Sequence, residues 1–348
     1  MKMRKPILQN LVEMTGLRDH LRLELSVLST LQALSGIVDI RALELFTREG
    51  QTFVRPRTWL EQGQLLSNDA EAAQDPRREP LERHPDLQEC IASQSASVVH
   101  VPRRGRYVLW LPVWMNDKVS TCLEITQSRA FSQHRLDVIL GIFQVYKNYQ
   151  SLLDYSERDA LTGLFNRKTF DEQFARHAAS AALLQGAEPG ASCADDEYGP
   201  RQQWLAVVDI DHFKQVNDRF GHLYGDEVLI LMANLLRSSF RSHDRIFRFG
   251  GEEFVVLLRN ATLETARKAF ERFRETVQAH TFPQVGHVSV SIGFVGTSTG
   301  SPVEILGQAD QALYFAKEHG RNQVHYYDDL VAAGHLQTKM AHDDVELF

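Results

Sequence analysis

Cysteine is nearly absent from this chain: Cys90, Cys122 and Cys193 are the only three in 348 residues. An odd, widely spaced set builds neither a disulfide frame nor a metal knuckle, and reads as reduced thiols in a cytoplasmic protein. Long apolar runs are missing too, so no stretch suits a membrane-spanning helix. The basic start, Met1-Lys2-Met3-Arg4-Lys5-Pro6, leads into a segment with Glu13, Arg18 and Asp19 rather than an apolar core, which argues against a secretory signal. An excess of positive charge is also lacking. The formal charge of −7 excludes a general nucleic-acid binder, whose basic stripe would give the opposite sign. No repeat of 20–50 residues occurs, which removes solenoids and propellers.

What is present is an ordinary apolar fraction of 43% spread over a length that suggests two domains. Ile7 to about Leu34 repeats leucine and valine at helical spacing up to Gly36, predicting one helix. Val38–Phe46 and Thr52–Trp59 alternate apolar and polar residues around Glu49-Gly50, and Val108–Trp114 and Val119–Ile125 flank Asn116-Asp117. Both pairs predict hairpins. Residues Ser67 to Arg83 read as a loop. Ser132 is a candidate N-cap for a long helix to about Tyr155, whose Ile139, Ile142, Tyr146, Tyr149 and Leu153 keep the spacing of a coiled-coil seam. The same stripe would serve equally well to pack the helix on its own domain.

From residue 167 onward helices and strands alternate. Helices are expected at Arg167–Leu184, about Gly225–Phe240, Leu263–Ala279 and Pro302–His319. Strands are expected at Leu205–Ile210 and Val288–Val295, with a hairpin at Phe247–Leu258. This pattern suggests a split βαβ plan. Gln185–Arg201 reads as a surface insertion, and the tail after Asp329 as polar and frayed.

The chemistry is concentrated in two places. Asp209 lies near the end of the apolar strand before His212-Phe213-Lys214, and Gly250-Gly251-Glu252-Glu253-Phe254 joins two apolar strands. Glycines at such a turn are expected to take positive φ and to admit a ligand close to the backbone. If Asp209 neighbours the turn, three carboxylates converge, offering the hard oxygens that Mg²⁺ prefers.

With these motifs in their order, Asp159 to Tyr327 resembles the GGDEF diguanylate cyclases, with Glu252 where the family name has aspartate. The resemblance implies an α/β (α+β) domain of nucleotide-cyclase or palm type that condenses two GTP to cyclic di-GMP as a homodimer. It implies two Mg²⁺ ions per site, with Mn²⁺ as a substitute, held by Asp209, the Ile210 carbonyl and Glu252. Glu253 would assist the second ion or take the proton from the 3′-hydroxyl, or else only brace the turn. His212, Phe213, Lys214, Lys317 and Arg321 would hold phosphates, and Asn217 and Asp226 would read guanine through its donors and acceptors. Asp226 would suit a helix N-cap as well. Arg241 and Asp244, in an Arg-x-x-Asp five residues before Gly250, match a product-inhibition site, with Arg272 placed to join them.

The first half resembles a GAF-type sensor domain through Leu111-Pro112-Val113, Asp117-Lys118-Val119, Leu123-Glu124-Ile125 and Phe131-Ser132, with a PAS-like fold as the alternative. Together these imply a sensor domain over residues 1–130 with an unknown ligand, a signalling helix over 131–158, the cyclase domain over 159–330 and a polar tail over 331–348. A catalytically silent domain that only binds cyclic di-GMP or GTP is the other reading. The turn glycines, acids and phosphate lysine are all present and argue against it. A cyclic di-GMP hydrolase finds no support, since no Glu-x-Leu phosphodiesterase domain is found.

Overall fold

The computed structural model describes residues 6–48, 50–61, 64–67, 75–100, 105–115, 118–174, 201–241, 243–297 and 301–337. The Asn116-Asp117 turn, Cys193, nearly all of the 185–201 insertion and the end of the tail lie outside them. Contacts divide the chain into two units, Met1–Ser156 and Glu157–Phe348. Among the described residues no helix is long and apolar enough to cross a membrane.

Unit 1 begins with α1 (Ile7–Thr15) and α2 (His20–Gln32), where one helix was expected. The break has a local cause: the Asp19 carboxylate accepts from the Arg22 N–H at 3.0 Å and starts a second helix. The sheet strands are β1 (Ile37–Arg48), β2 (Gln51–Glu61), β3 (Gln64–Ser67), β4 (Glu79–Pro80), β5 (Val98–His100), β6 (Tyr107–Met115) and β7 (Lys118–Gln127). They lie in the order β3-β2-β1-β7-β6-β5, with β4 beside β2. Both expected hairpins are formed, β1 with β2 and β6 with β7. A short helix, α3 (Pro85–Ala92), interrupts the sheet sequence.

One face of the sheet packs Ile40, Leu111, Leu123 and Ile125 against α1, α2 and α4 (Gln133–Glu157). The seam residues of α4 are spent here: Ile139, Ile142, Tyr146 and Leu153 are buried in this core, and the Tyr149 hydroxyl donates to the Thr15 carbonyl. Packing on its own unit is therefore what this stripe does.

Unit 2 holds β8 (Phe165–Asn166), a helix over residues 167–174 (α5), β9 (Gln202–Ile210), α6 (Phe213–Phe220), α7 (His222–Ser239), β10 (Arg245–Arg248), β11 (Glu253–Ala261), α8 (Leu263–Ala279), β12 (Val290–Gly296), α9 (Pro302–Glu318), β13 (Val324–Tyr326) and α10 (Tyr327–Ala332). The sheet order is β13-β12-β9-β11-β10-β8. Its inner four strands, with α6–α7 and α8 as crossovers, make the split βαβ arrangement anticipated from sequence. The mixed α/β class holds. β8, α6, β13 and α10 went unanticipated, and α10 carries order past Asp329 into what read as tail.

Strand β9 is the axis. Trp204, Ala206, Val208 and Ile210 face α7 and α8, whereas Leu205 and Val207 face α5 and α9. Burial on both sides explains its continuous apolar run, since neither face meets water. Helix α9 lies unusually close to the sheet. A Cβ on Gly293 of β12 would sit 2.2 Å from both the Ala309 carbonyl oxygen and the Leu313 nitrogen. Only glycine permits that approach, and it brings the C-terminal end of α9 over the end of β9.

Candidate active site

Asp209, 3% exposed, stands one residue before the end of β9 with Glu253 of β11 directly across on one side and Ser291 of β12 on the other. Like charges in facing positions repel. Lys317 of α9 answers them, its Nζ lying 2.9 Å from Asp209 Oδ2. Burial still pushes the Asp209 carboxyl above the usual range, although the lysine's hydrogen bond and charge oppose it. Burial, and then the field of Asp209, also raise Glu252 and Glu253, with Asp310 of α9 adding to the effect at Glu253. Acids held high in the folded state are relieved by protonation, so their penalty grows as pH rises through those raised values. A divalent cation offers the same relief at neutral pH. The protein is therefore expected to melt higher with Mg²⁺ present, and the gain to shrink as pH falls towards the ordinary carboxylate range. A Mg²⁺ effect on melting that is nil, or independent of pH, would contradict this.

The turn from Phe249 to Glu252 is closed by N–H bonds from Phe249 and Gly250 to the Glu253 carbonyl (2.8 and 3.3 Å), and the Ile210 N–H ties it to β9 through the Glu252 carbonyl (3.4 Å). The expectation of positive φ at its glycines is not met, for neither Gly250 nor Gly251 adopts it. At Gly250 a Cβ would lie 2.8 Å from Glu253 Oε2, so a side chain there would push the Glu253 carboxylate aside.

Arg248 braces the turn from below. Its guanidinium donates to the Gly251 carbonyl and to Asp159 Oδ1, each at 2.9 Å. Burial of Asp159 works against its charge, but hydrogen bonds from Thr162 and Arg248 hold the carboxyl below its ordinary value. Sequence reasoning gave neither Arg248 nor Asp159 a role. The signal was an acid followed three residues later by threonine, together with an arginine two places before Gly250. Arg248→Ala removes a charge-assisted brace and is expected to lower turnover about tenfold, read as the rate of product formation. An unchanged rate would show that the turn holds its shape without it.

His212 is the left-handed N-cap (φ 60°) of α6, so Phe213 and Lys214 open a helix. That placement suits an anion, because the first N–H groups of a helix lack internal partners and favour negative charge. Lys214 is exposed beside them. At the end of α9, the Arg321 N–H returns to the Ala316 carbonyl at 2.9 Å, and the guanidinium stands near enough to Asp209 to lower its carboxyl.

Asn217 of α6 lies against Gly225 of α7, the residue before Asp226. A Cβ on that glycine would lie 2.0 Å from Asn217 Oδ1. Asp226 is exposed on the second turn of α7, whose N-cap is Gly221, so the N-cap role weighed for Asp226 is ruled out. Arg241, Asp244 and Arg272 gather elsewhere, at the far end of β10 from the turn. The buried Asp244 carboxylate accepts the N–H groups of Arg241 (2.9 Å) and Arg259 (3.1 Å), while the Arg272 guanidinium reaches the Ser239 carbonyl at 2.9 Å.

Among the described residues no three His, Cys, Asp or Glu side chains are grouped to hold a metal ion. The expected set is smaller, two carboxylates and the Ile210 carbonyl. Its oxygen-only chemistry and crowded negative charge suit a hard divalent cation.

Residues 156–323 match the family profile "Diguanylate cyclase, GGDEF domain". The chain is 35% identical over 179 residues to diguanylate cyclase DgcZ of Escherichia coli, covering 50% of this chain and 54% of that protein. It is 41% identical over 177 residues to diguanylate cyclase DgcP of Pseudomonas aeruginosa, covering 48% and 23% respectively. Among solved structures, the active GGEEF domain of a diguanylate cyclase from Vibrio cholerae aligns at 34% identity and TM-score 0.40, covering 47% of this chain and 97% of that one. The chain thus spans 54% or less of the two curated relatives named here.

Proposed function

This chain carries a GGDEF domain over residues 156–323 and has diguanylate cyclases among its relatives, and from that premise we propose that it condenses two GTP into one cyclic di-GMP and two pyrophosphates. The observation that carries the reading is the Lys317–Asp209 ion pair at the end of β9, with Glu253 paired opposite Asp209 and the Glu252 carbonyl tied to the Ile210 N–H. Asp209, the Ile210 carbonyl and Glu252 would hold the divalent cations, Mg²⁺ by preference. Such ions neutralise charge on a transferred phosphoryl group and acidify a bound hydroxyl. Lys317, Arg321, Lys214 and the first N–H groups of α6 hold the triphosphate. Asn217 and Asp226 select guanine. Glu253, its carboxyl held above the ordinary value by burial and by Asp209, is suited to receive the 3′-hydroxyl proton as that oxygen attacks the α-phosphorus of the other GTP and pyrophosphate leaves. Each domain binds one GTP, so two must face each other, and that dimer supplies the proximity of the reacting groups. Arg241, Asp244 and Arg272 would bind the product and slow the enzyme.

Unit 1 is read as the GAF-like sensor that tunes this encounter through α4. A cavity of about 690 Å³ opens between β1, β2, β7 and the end of α3. Trp114, which lines it, has a buried indole N–H without a partner.

The deciding experiment incubates the purified chain with GTP and Mg²⁺ and separates products by HPLC. Cyclic di-GMP is expected from wild type and not from Glu252→Ala. Absence of product from wild type, at concentrations where the chain is dimeric, would sink the reading. Gly225→Ala pushes Asn217 aside and is expected to raise the GTP KM about tenfold, the loss of one hydrogen bond to a base. An unchanged KM would remove Asn217 from the guanine site.

A further inference from the structure

After α9 three successive residues lie in the left-handed region: Gly320 (φ 111°), Arg321 (φ 62°) and Asn322 (φ 50°). Glycine rests there freely, but an arginine and an asparagine side by side are strained and must be held. The holder is Asp211, only 4% exposed. Its Oδ2 accepts the Ser289 hydroxyl at 2.6 Å and the Asn322 N–H at 3.0 Å, and its Oδ1 accepts the Ser291 hydroxyl at 2.7 Å. From α8, the Arg274 guanidinium grips the Asn322 side-chain oxygen at 2.8 Å. Asn322 is thus clamped by its main chain and its side chain, with Arg321 between that clamp and the end of α9. The Asp211 carboxylate has donors on both oxygens and is buried, so it has no reason to touch substrate itself.

We propose that Asp211 is a positioning residue for Arg321: through the Asn322 N–H it fixes the left-handed loop that aims the Arg321 guanidinium at the phosphates of GTP bound beside Asp209. The inference rests on the reading of GTP as substrate. It goes beyond that reading by assigning a role to an acid that neither binds the ion nor meets the nucleotide. Because Arg321 would contact phosphates in the ground state as well as later, loss of its placement weakens binding more than it slows chemistry.

The test is a double-mutant cycle in the full chain, with steady-state kinetics on GTP and Mg²⁺. Asp211→Asn keeps the shape but turns a donor towards groups that already donate. It is expected to raise the GTP KM by about tenfold or more, with kcat within about threefold. Arg321→Ala should raise KM similarly, and the double variant should be no worse than Arg321→Ala alone, because Asp211 acts through that arginine. Additive losses, or a fall in kcat at unchanged KM, would overturn the proposal. If Asp211→Asn fails to fold, Ser289→Ala takes its place in the cycle. It strips one donor from Oδ2 and should give a smaller KM rise that vanishes in the Arg321→Ala background; no rise overturns the proposal. If wild type makes no product, the reading of the reaction fails first. The same cycle is then run on the Kd for GTP by calorimetry, where coupling between Asp211 and Arg321 supports the inference and additivity, or no binding of GTP at all, overturns it.

Discussion

Asp209→Asn should leave less than about a thousandth of wild-type kcat/KM, because on the proposed reading this carboxylate anchors divalent cations that give several kcal/mol of charge stabilisation at the transferred phosphoryl group. Asparagine preserves the side-chain shape at a position that is 3% exposed, so the sheet has no reason to change. What changes is charge. Glu253 loses the neighbour that raises it, Lys317 loses its ion partner, and a divalent cation loses the anion at the centre of its donor set. Product formation by HPLC gives the rate, and circular dichroism checks that the fold persists. A folded variant within tenfold of wild type would move the centre of the chemistry away from Asp209.

Gly293→Ala is expected to damage both stability and catalysis from a position that touches no substrate. Its new methyl would lie 2.2 Å from two backbone atoms of α9. Ordinary carbon contacts need about 3.5–4.0 Å. Backbone cannot rotate away as a side chain does, so helix and strand must part by an ångström or more. Overpacking of this kind costs about 1–3 kcal/mol. A displacement of about 1 Å at the groups carried by α9 and the loop after it, Lys317 and Arg321, can cost a hundredfold in rate. The matching control is Gly307→Ala on the same helix, where a Cβ meets nothing within 4 Å. That change should leave the rate alone and stabilise the protein by about 0.5–1 kcal/mol. Equal behaviour of the two variants in thermal melts and kinetics would refute the argument from close approach.

These two sites differ in how far sequence could reach them. The acids were legible because a carboxylate at the end of an apolar strand and a glycine-flanked acidic turn are written in consecutive residues. The longer helices α7, α8 and α9 of unit 2 were legible for the same reason: α8 was anticipated to the residue, its apolar spacing uninterrupted. The split of the first helix was missed because Leu17 keeps the apolar spacing across the break, and only the cap at Asp19 decides it. Arg248 with Asp159, and Asp211 with Asn322, were missed because their meaning lies in partners far along the chain. The φ angles of Gly250 and Gly251 were misjudged because a glycine pair fits two needs, torsional freedom and room, and the sequence does not say which. Here Gly250 leaves the Glu253 carboxylate where it stands.

The contact between Asp211 and Asn322 also bears on how the protein comes into being. Its two ends are 111 residues apart in the chain, and contacts of such separation form late and slowly because the intervening segment must first be closed. The acids of β9 and the turn before β11 can find each other as soon as their strands pair. The lysine and arginine arrive only when the last long helix docks. Catalytic competence should therefore trail the recovery of secondary structure during refolding, and the interval between them times the docking of α9.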